Sequence, residues 1–513
     1  MASAANRVPI HQWLPKSSAI TAVMVIAAAC VTSTTKGYDG SMMNSLNALP
    51  SYSEYFVLTT ATKALNTCAI WLGGIVSAVV AGPIANRYGR RRSLRWASLF
   101  TIFGAILQAA AQNVSMWVVS RMFIGFGTTF SMCAGTAYTA ETLPVKWRGW
   151  GVGLLGDLYY VGGFLAAGIT YGTSRMDSTW AWRLPSALQA FFSIIALGFL
   201  FVVPESPRWL VKQDRNEEAL QVIALMNSDG DRSHPDTIAA YQEILDAMDF
   251  ERTKGRQFGT KQIVKTPDLR MRIVLVVSAS VCAMLSGNNV VSFYLGDMLT
   301  NAGITDSNTQ LEITIVLNAW CLVVSIIGTR LLDQFGRKTI AIISNSGMVV
   351  LLFIVGALTA VYGTSENLSG IYGTVASIFL FQGVYSLAWT PLIMLYPPEV
   401  MNYNMRVFGV GLMELLGNCF GLLIVFAFPF AFAAIGWKFY MINGAWNVLE
   451  VVFVAYYWIE TKGLSLEQID DKFLSIYGET RTLEGLEVDE KTGVTSKAHH
   501  ITDTASEKQI ISF

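Results

Sequence analysis

Apolar residues run along this chain in stretches of roughly twenty, the length a helix needs to cross the hydrocarbon core of a bilayer. Polar or basic clusters break the stretches at regular intervals. The pattern predicts twelve helices, at 18–44, 58–81, 93–112, 115–137, 149–172, 183–203, 271–298, 311–332, 339–362, 370–395, 407–432 and 437–459. Six precede a charged stretch and six follow it. The expected organisation is a terminal segment 1–17, a six-helix half 18–203, a central loop with short helices 204–270, a second half 271–459 and a tail 460–513. A helix-like pattern lies near 236–252, and from about 471 the tail is polar enough to predict disorder. Arg7, Pro9, Pro15 and Lys16, followed by a long apolar run, argue against a cleavable signal peptide. The fold class is an all-α, multi-pass membrane protein.

Composition narrows the function. Of 513 residues, 53% are hydrophobic and 14% charged, against roughly 25% charged in soluble domains. A soluble enzyme is excluded, and the lipid bilayer is an obligatory partner. The 36 basic and 36 acidic residues cancel, which removes any electrostatic case for nucleic acid. Six cysteines stand singly, without metal-ligand spacing, and the four histidines lie outside the apolar runs. No metal, no cofactor and no enzymatic activity are expected. A Walker A loop is absent, which argues against ATP-driven pumping.

Basic residues sort into alternate loops: Arg87, Arg90, Arg91, Arg92, Arg95, Lys146, Arg148, Arg330, Arg337, Lys338 and Arg406 on one side, little beyond Arg175 and Lys438 on the other. The positive-inside rule then puts both termini and the central loop in the cytoplasm. The halves also repeat. Asn86-Arg87-Tyr88-Gly89-Arg90-Arg91 is echoed by Asp333-Gln334-Phe335-Gly336-Arg337-Lys338, and Glu141 with Arg148 by Glu399 with Arg406. Pro204-Glu205-Ser206-Pro207-Arg208 is echoed more loosely by Glu460-Thr461-Lys462-Gly463. Three motifs in one order, offset by roughly 250 residues, describe a parallel repeat.

These motifs, with Gly37-Tyr38-Asp39-Gly40, resemble the sugar porter branch of the major facilitator superfamily over about 450 residues. Tyr38-Asp39-Gly40-Ser41-Met42-Met43, Trp182-Arg183-Leu184-Pro185-Ser186 and Leu395-Tyr396-Pro397-Pro398-Glu399 are most similar to its fungal lactose-permease, cellodextrin and hexose transporter-like members. The resemblance implies two six-helix halves and alternating access. It implies a plasma-membrane monomer that moves a carbohydrate-like solute, with protons as the coupling ion.

Gly89 allows a tight turn from which Arg90 and Arg91 can meet carboxylates at neighbouring helix ends. Candidates are Glu141, Glu205, Glu399 and Glu460, with Arg148, Arg208, Asp333, Gly336, Arg337 and Arg406 completing two related clusters. The resemblance implies a cytoplasmic gate that latches and breaks as the halves rock; the competing reading is positive-inside topology alone. Asn86 and Gln334 depart from the family's Asp and Arg.

Asp39 lies in an otherwise apolar helix, where a charge costs about 2.5–3.5 kcal/mol, so it needs a cavity or a partner. Arg121, early in the fourth helix, is the candidate partner, and the resemblance makes the two a proton-coupling pair. A permanent structural ion pair is the alternative. Lys36, one turn before Asp39, is a competitor for its carboxylate; Lys63, Asp157, Glu414 and Glu450 are further intramembrane ionisable groups.

Sugars need hydrogen-bonding pairs and an aromatic platform. Leu285-Ser286-Gly287-Asn288-Asn289 resembles the family's substrate motif, with Ala283 and Met284 where two glutamines usually stand. Substrate-binding candidates are Asn288, Asn289, Asp157, Asn318, Asn418 and Trp389, with Tyr159, Tyr160, Tyr294 and Tyr385 as further aromatics. Met394 replaces the family's tryptophan, and Gly156 its helix-5 amide. These losses leave open a metabolite exporter of the same fold; a non-transporting nutrient sensor is a further alternative, against which the modest tail argues.

Overall fold

A computed structural model describes residues 17–254, 267–363, 365, 367–401, 406–464 and 466–477. Over them the chain is helical, without strands. The spans are Ser18–Asn47, Thr60–Tyr88, Arg90–Ala109, Val114–Thr142, Val145–Thr173, Trp180–Val202, Pro267–Leu285 with Asn288–Asn301, Ser307–Phe335, Arg337–Tyr362, Leu368–Val400, Arg406–Ile435 and Lys438–Tyr457. They are called here the first to the twelfth. Ten of them are long and apolar enough to cross a membrane. The other two are the third, which opens on Arg90, Arg91, Arg92 and Arg95, and the fourth, which carries Arg121 and Glu141.

Three expectations change. The seventh span is two helices, because Gly287 adopts φ +102° between them, a left-handed conformation that glycine enters without steric cost. The expected loop between the second and third spans is a one-residue turn at Gly89 (φ +97°), matched by Gly336 (φ +98°) between the eighth and ninth. The tail forms a helix, Leu466–Tyr477, rather than being disordered from about 471. It docks through buried Ile469 and Phe473, with the Arg272 guanidinium 4.1 Å above the Phe473 ring. The remainder of the tail lies outside the described residues.

The central loop holds helices Pro207–Lys212, Asn216–Asn227 and Pro235–Lys254. Their buried face, including Trp209, Leu210, Val222 and Met226, joins Ala22, Val25 and Ile26 of the first span in one cluster. Asp229 accepts the Ser18 amide at 2.6 Å, which ties this loop to the start of the first span.

Small residues bring the spans close, as expected where lipid removes any hydrophobic drive between helices. Gly162 of the fifth span lies against the Thr34 carbonyl, Gly37 of the first against that of Tyr159, and Gly328 of the eighth against that of Leu387. Gly168 of the fifth span, by contrast, has open space around it. Two seams join the halves: second span on eleventh, where Gly421 meets the Trp71 ring, and fifth on eighth, where Gly153 meets Thr329. A side chain at Gly162 must push two backbones apart, so Gly162→Val is expected to destabilise by about 1–3 kcal/mol. Gly168→Ala leaves stability unchanged or slightly raised. Thermal unfolding of the purified protein checks both.

Candidate functional site

Asp39 and Arg121 are both fully buried, and they meet in a fork-to-fork pair, Nη1 to Oδ1 and Nη2 to Oδ2, each at 3.1 Å. Gln189 of the sixth span donates to the same Oδ1 at 2.9 Å. Arg121 also reaches the Thr67 carbonyl of the second span at 3.4 Å. Four helices thus satisfy one charge pair, as burial requires. Beside it lies an aromatic cluster of Tyr52, Phe56, Trp117 and Trp182, with Tyr52 and Trp117 centroids 5.1 Å apart and Trp117 and Trp182 5.6 Å apart. Lys36, the expected competitor for Asp39, turns away and lies 3.9 Å from Glu414 of the eleventh span, in the other half.

The first span also faces the centre of the molecule. Ser41 and Asn44 line a cavity between the halves with Tyr159, Tyr160, Ser292, Thr314, Asn318 and Gln382; apolar Val291, Leu295, Leu317 and Cys321 complete the wall. The cavity measures about 30 Å³, room for one or two waters, so the halves are closed around it. Tyr160 reaches Ser386 at 2.6 Å and Thr390 at 3.2 Å across the halves, and Asn318 donates to Ser41 at 3.2 Å. Towards the Lys63 end, three contacts seal the cavity. Lys63 pairs with Asp297 at 2.8 Å, Asn44 accepts the Leu295 amide at 2.9 Å, and Tyr171 donates to Glu312 at 2.8 Å.

Of the substrate candidates, Asn318 lines this cavity. Asn288 stands at its edge, taking a 2.6 Å hydrogen bond from Gln382. The others do not line it. Trp389 is wholly buried in the C-terminal half, donating to Asn345 at 2.7 Å, with its ring 5.8 Å from Trp458. The face of the tenth span that carries it packs away from the centre. Asn418 donates to its own helix at the Glu414 carbonyl, 2.6 Å away, and fills the space over Gly74. Asp157 sits in the fifth–eighth seam, accepting from Thr329 at 2.9 Å.

Asn289 turns back towards the break in the seventh span, and here four consecutive carbonyls each gain a side-chain donor. Tyr385 serves Ala283 at 3.1 Å, Asn289 serves Met284 at 3.1 Å, Asn443 serves Leu285 at 2.9 Å and Asn447 serves Ser286 at 3.0 Å. These are the orphan acceptors of a helix C-terminus, capped by side chains. Sequence reasoning missed Gln189, Gln382, Asn44 and the asparagines of the twelfth span. Amides inside apolar runs were the available signal.

At the opposite end from Lys63, the repeated motifs build two copies of one arrangement. Arg90 binds Glu141 at 3.0 Å, Ser206 donates to Glu141, and Glu205 caps the Arg91 amide at 2.9 Å. In the second copy Arg337 binds Glu399 at 3.0 Å and Asp333 at 3.1 Å. Thr461 donates to Glu399 at 2.7 Å, and Glu460 caps the Arg337 and Lys338 amides at 2.7 and 3.0 Å. A carboxylate at a helix N-terminus satisfies free amides and the helix dipole together. Each copy lies within one half. The Arg91 side chain, expected to meet a carboxylate, instead donates to the Val203 carbonyl at 2.8 Å. Asn86 and Gln334 contribute only backbone carbonyls, to Trp209 and Lys462. Arg208 is the second residue of the short helix Pro207–Lys212; the side chains of Arg148 and Arg406 lie outside the described residues.

A family model described as "Sugar (and other) transporter" matches residues 25–473. A high-affinity glucose transporter of Kluyveromyces lactis is 29% identical over 507 residues, covering 94% of this chain and 92% of the relative. The MFS-type transporter criB of Aspergillus cristatus is 28% identical over 434 residues, covering 85% and 89%. Among solved structures, the proton:xylose symporter XylE of the major facilitator superfamily, bound to 6-bromo-6-deoxy-D-glucose, aligns with a TM-score of 0.76 at 22% identity, covering 89% of this chain and 100% of that one. The inward-open xylose transporter XylE from E. coli aligns at 0.69 and 23% identity, covering 88% and 99%.

The capped break generates its own prediction. Asn447→Leu strands the buried Ser286 carbonyl, at a cost of about 1–3 kcal/mol. A lowered unfolding temperature and faster amide exchange over residues 288–291 are expected, read by hydrogen–deuterium exchange.

Proposed function

This chain belongs to the sugar (and other) transporter family, the sugar porters of the major facilitator superfamily, and from that premise we propose that it carries a sugar across the plasma membrane together with a proton. One observation supports the reading above the others: the first span presents Asp39 to Arg121 on one face and Ser41 and Asn44 to the central cavity on another. Ion site and solute site therefore share one helix.

The cycle follows from this geometry. Hydroxyls and amides of Ser41, Asn44, Ser292, Thr314, Asn318 and Gln382, beside the rings of Tyr159 and Tyr160, suit a polyhydroxylated ring with apolar C–H faces. A proton arriving at Asp39 removes the negative charge that holds Arg121, leaving Gln189 and Thr67 as the remaining partners of the site. The first span then reshapes around the solute, and the halves rock over the two seams. Ion pairs within each half keep its six helices rigid during that movement. Both termini and the central loop lie in the cytoplasm, with the Gly89 and Gly336 turns on the same side; the transporter works as a monomer. The names of its relatives, a glucose transporter and a xylose symporter, point to the same solute class.

Moving one charge through about 100 mV is worth roughly 2.3 kcal/mol, nearly fiftyfold accumulation. Labelled glucose, galactose, xylose, lactose and cellobiose, offered to a transporter-null yeast expressing the chain, should include one solute concentrated in an uncoupler-sensitive way. No uptake of any of them, with the protein at the cell surface, overturns the sugar reading. Asp39→Asn is expected to abolish uphill accumulation while equilibrium exchange persists; retained accumulation makes the pair structural. Gln382→Ala removes a cavity amide, and an increase in KM of roughly five- to hundredfold is expected for the loss of a buried partner, measured in the same uptake assay.

A further inference from the structure

Asp157 is a buried acid that this cycle leaves unused. It is 2% exposed and lies twelve residues into the fifth span, about 18 Å along the helix. Its Oδ2 accepts the Thr329 hydroxyl across the fifth–eighth seam at 2.9 Å, while Oδ1 is buried without a hydrogen-bond partner. Thr329 is six residues from the Gly336 end of its helix, which places the contact between the cavity and the Gly89–Gly336 face. The seam is tight on both sides: a side chain at Gly153 would stand 2.8 Å from Thr329 Cγ2, and one at Gly156 would stand 2.7 Å from the Thr390 carbonyl.

No described cation neutralises this carboxyl. From the first span it faces the Cys30 thiol. From the eighth it faces the hydroxyls of Thr329 and Ser325. The tenth brings the Thr390 backbone. Charged side chains on the packed helices are engaged elsewhere. Asp39 and Arg121 bind each other, as do Lys36 and Glu414, and Arg90 and Glu141; Arg337 holds Asp333 and Glu399. Arg183 of the sixth span serves the Ala109 carbonyl at 2.6 Å, Glu312 takes the Tyr171 hydroxyl, and Arg330 is exposed. An ionised carboxylate without cation or water is far costlier than its neutral form.

We propose that Asp157 is a second proton-carrying residue, neutral while the halves are closed over Thr329 and ionised when they part on the Gly89–Gly336 side. On opening, water enters the seam and the carboxylic acid gives its proton to that water, leaving a hydrated carboxylate; closure reverses the step. Opening therefore releases a proton. Raising the pH on that side favours the open form, by up to tenfold in the open-to-closed ratio per pH unit. The directional part rests on the alternating-access reading above, whereas the neutral carboxyl rests on the closed structure alone.

Two measurements separate these. In infrared spectra of the purified full-length protein at neutral pH, the difference between wild type and Asp157→Asn is expected to contain one protonated-carboxyl carbonyl stretch. Thr329→Val should keep that band at a shifted frequency, and Asp39→Asn should leave it in place. Absence of the band from the difference spectrum, with both proteins folded, overturns the proposal. The second is labelled-glucose and labelled-xylose efflux from right-side-out yeast membrane vesicles at varied internal pH. In an Asp39→Asn background, where no coupling proton is required, it should rise with internal pH, up to tenfold per unit, and flatten when Asp157→Asn is added. Superimposable profiles overturn the coupling role. A wild type that moves neither sugar, yet shows the infrared band, overturns the transport reading and leaves the neutral carboxyl standing.

Discussion

A backbone that crosses lipid must satisfy its own hydrogen-bonding groups, and the architecture is arranged around the place where the seventh span stops doing so. Gly287 turns the chain into a left-handed conformation, and the carbonyls of residues 283–286 lose their helical donors. Tyr385, Asn289, Asn443 and Asn447 replace those donors one for one. The break is thereby affordable in an apolar setting, and it fixes how the tenth and twelfth spans sit against the seventh. Val291, Ser292 and Leu295, just past the break, enter the cavity wall. Cavity wall and helix break are thus one construction.

The same rule, applied to charge, explains the distribution of ionisable groups. Asp39 with Arg121, Lys63 with Asp297, and Lys36 with Glu414 each bring together residues from different helices, the last two from different halves. Because unpaired buried charges are costly, these contacts also report which helices must approach. The two motif clusters, built from acids capping helix N-termini, hold each half together internally rather than tying one half to the other. In this closed state the halves meet through glycine seams, hydroxyls, amides and the ion pairs Lys63–Asp297 and Lys36–Glu414, contacts weak enough to exchange. That division gives stiff bodies with a slippery boundary, the mechanical requirement for rocking.

Much of this was legible in the chain. Twelve apolar runs, the basic loops and three motifs repeated between the halves pointed to the fold, because membrane thickness and lipid polarity act on local composition. The Asp39–Arg121 partnership was readable because a lone acid and a lone base in apolar helices have few alternatives. The lining of the central cavity was less legible. Asn318 lines the cavity, but Trp389, Asn418 and Asp157 do not, and Gln382 and Asn44 do. A polar residue in a transmembrane helix can face a cavity, a seam or a backbone break, and periodicity alone does not separate the three.

What the sequence determined by itself was therefore the number of spans, their grouping into halves and the charges that had to find partners, since each follows from the energetics of single residues in lipid. Tertiary structure alone decided which acid faces a cation and which faces a hydroxyl: Lys36 takes Glu414 rather than Asp39, and Asp157 is left with Thr329. It also decided that the 271–298 run bends at Gly287. Such outcomes depend on helix rotation and on separations of up to several hundred residues, and rotation is set by close packing between helices rather than by any local preference.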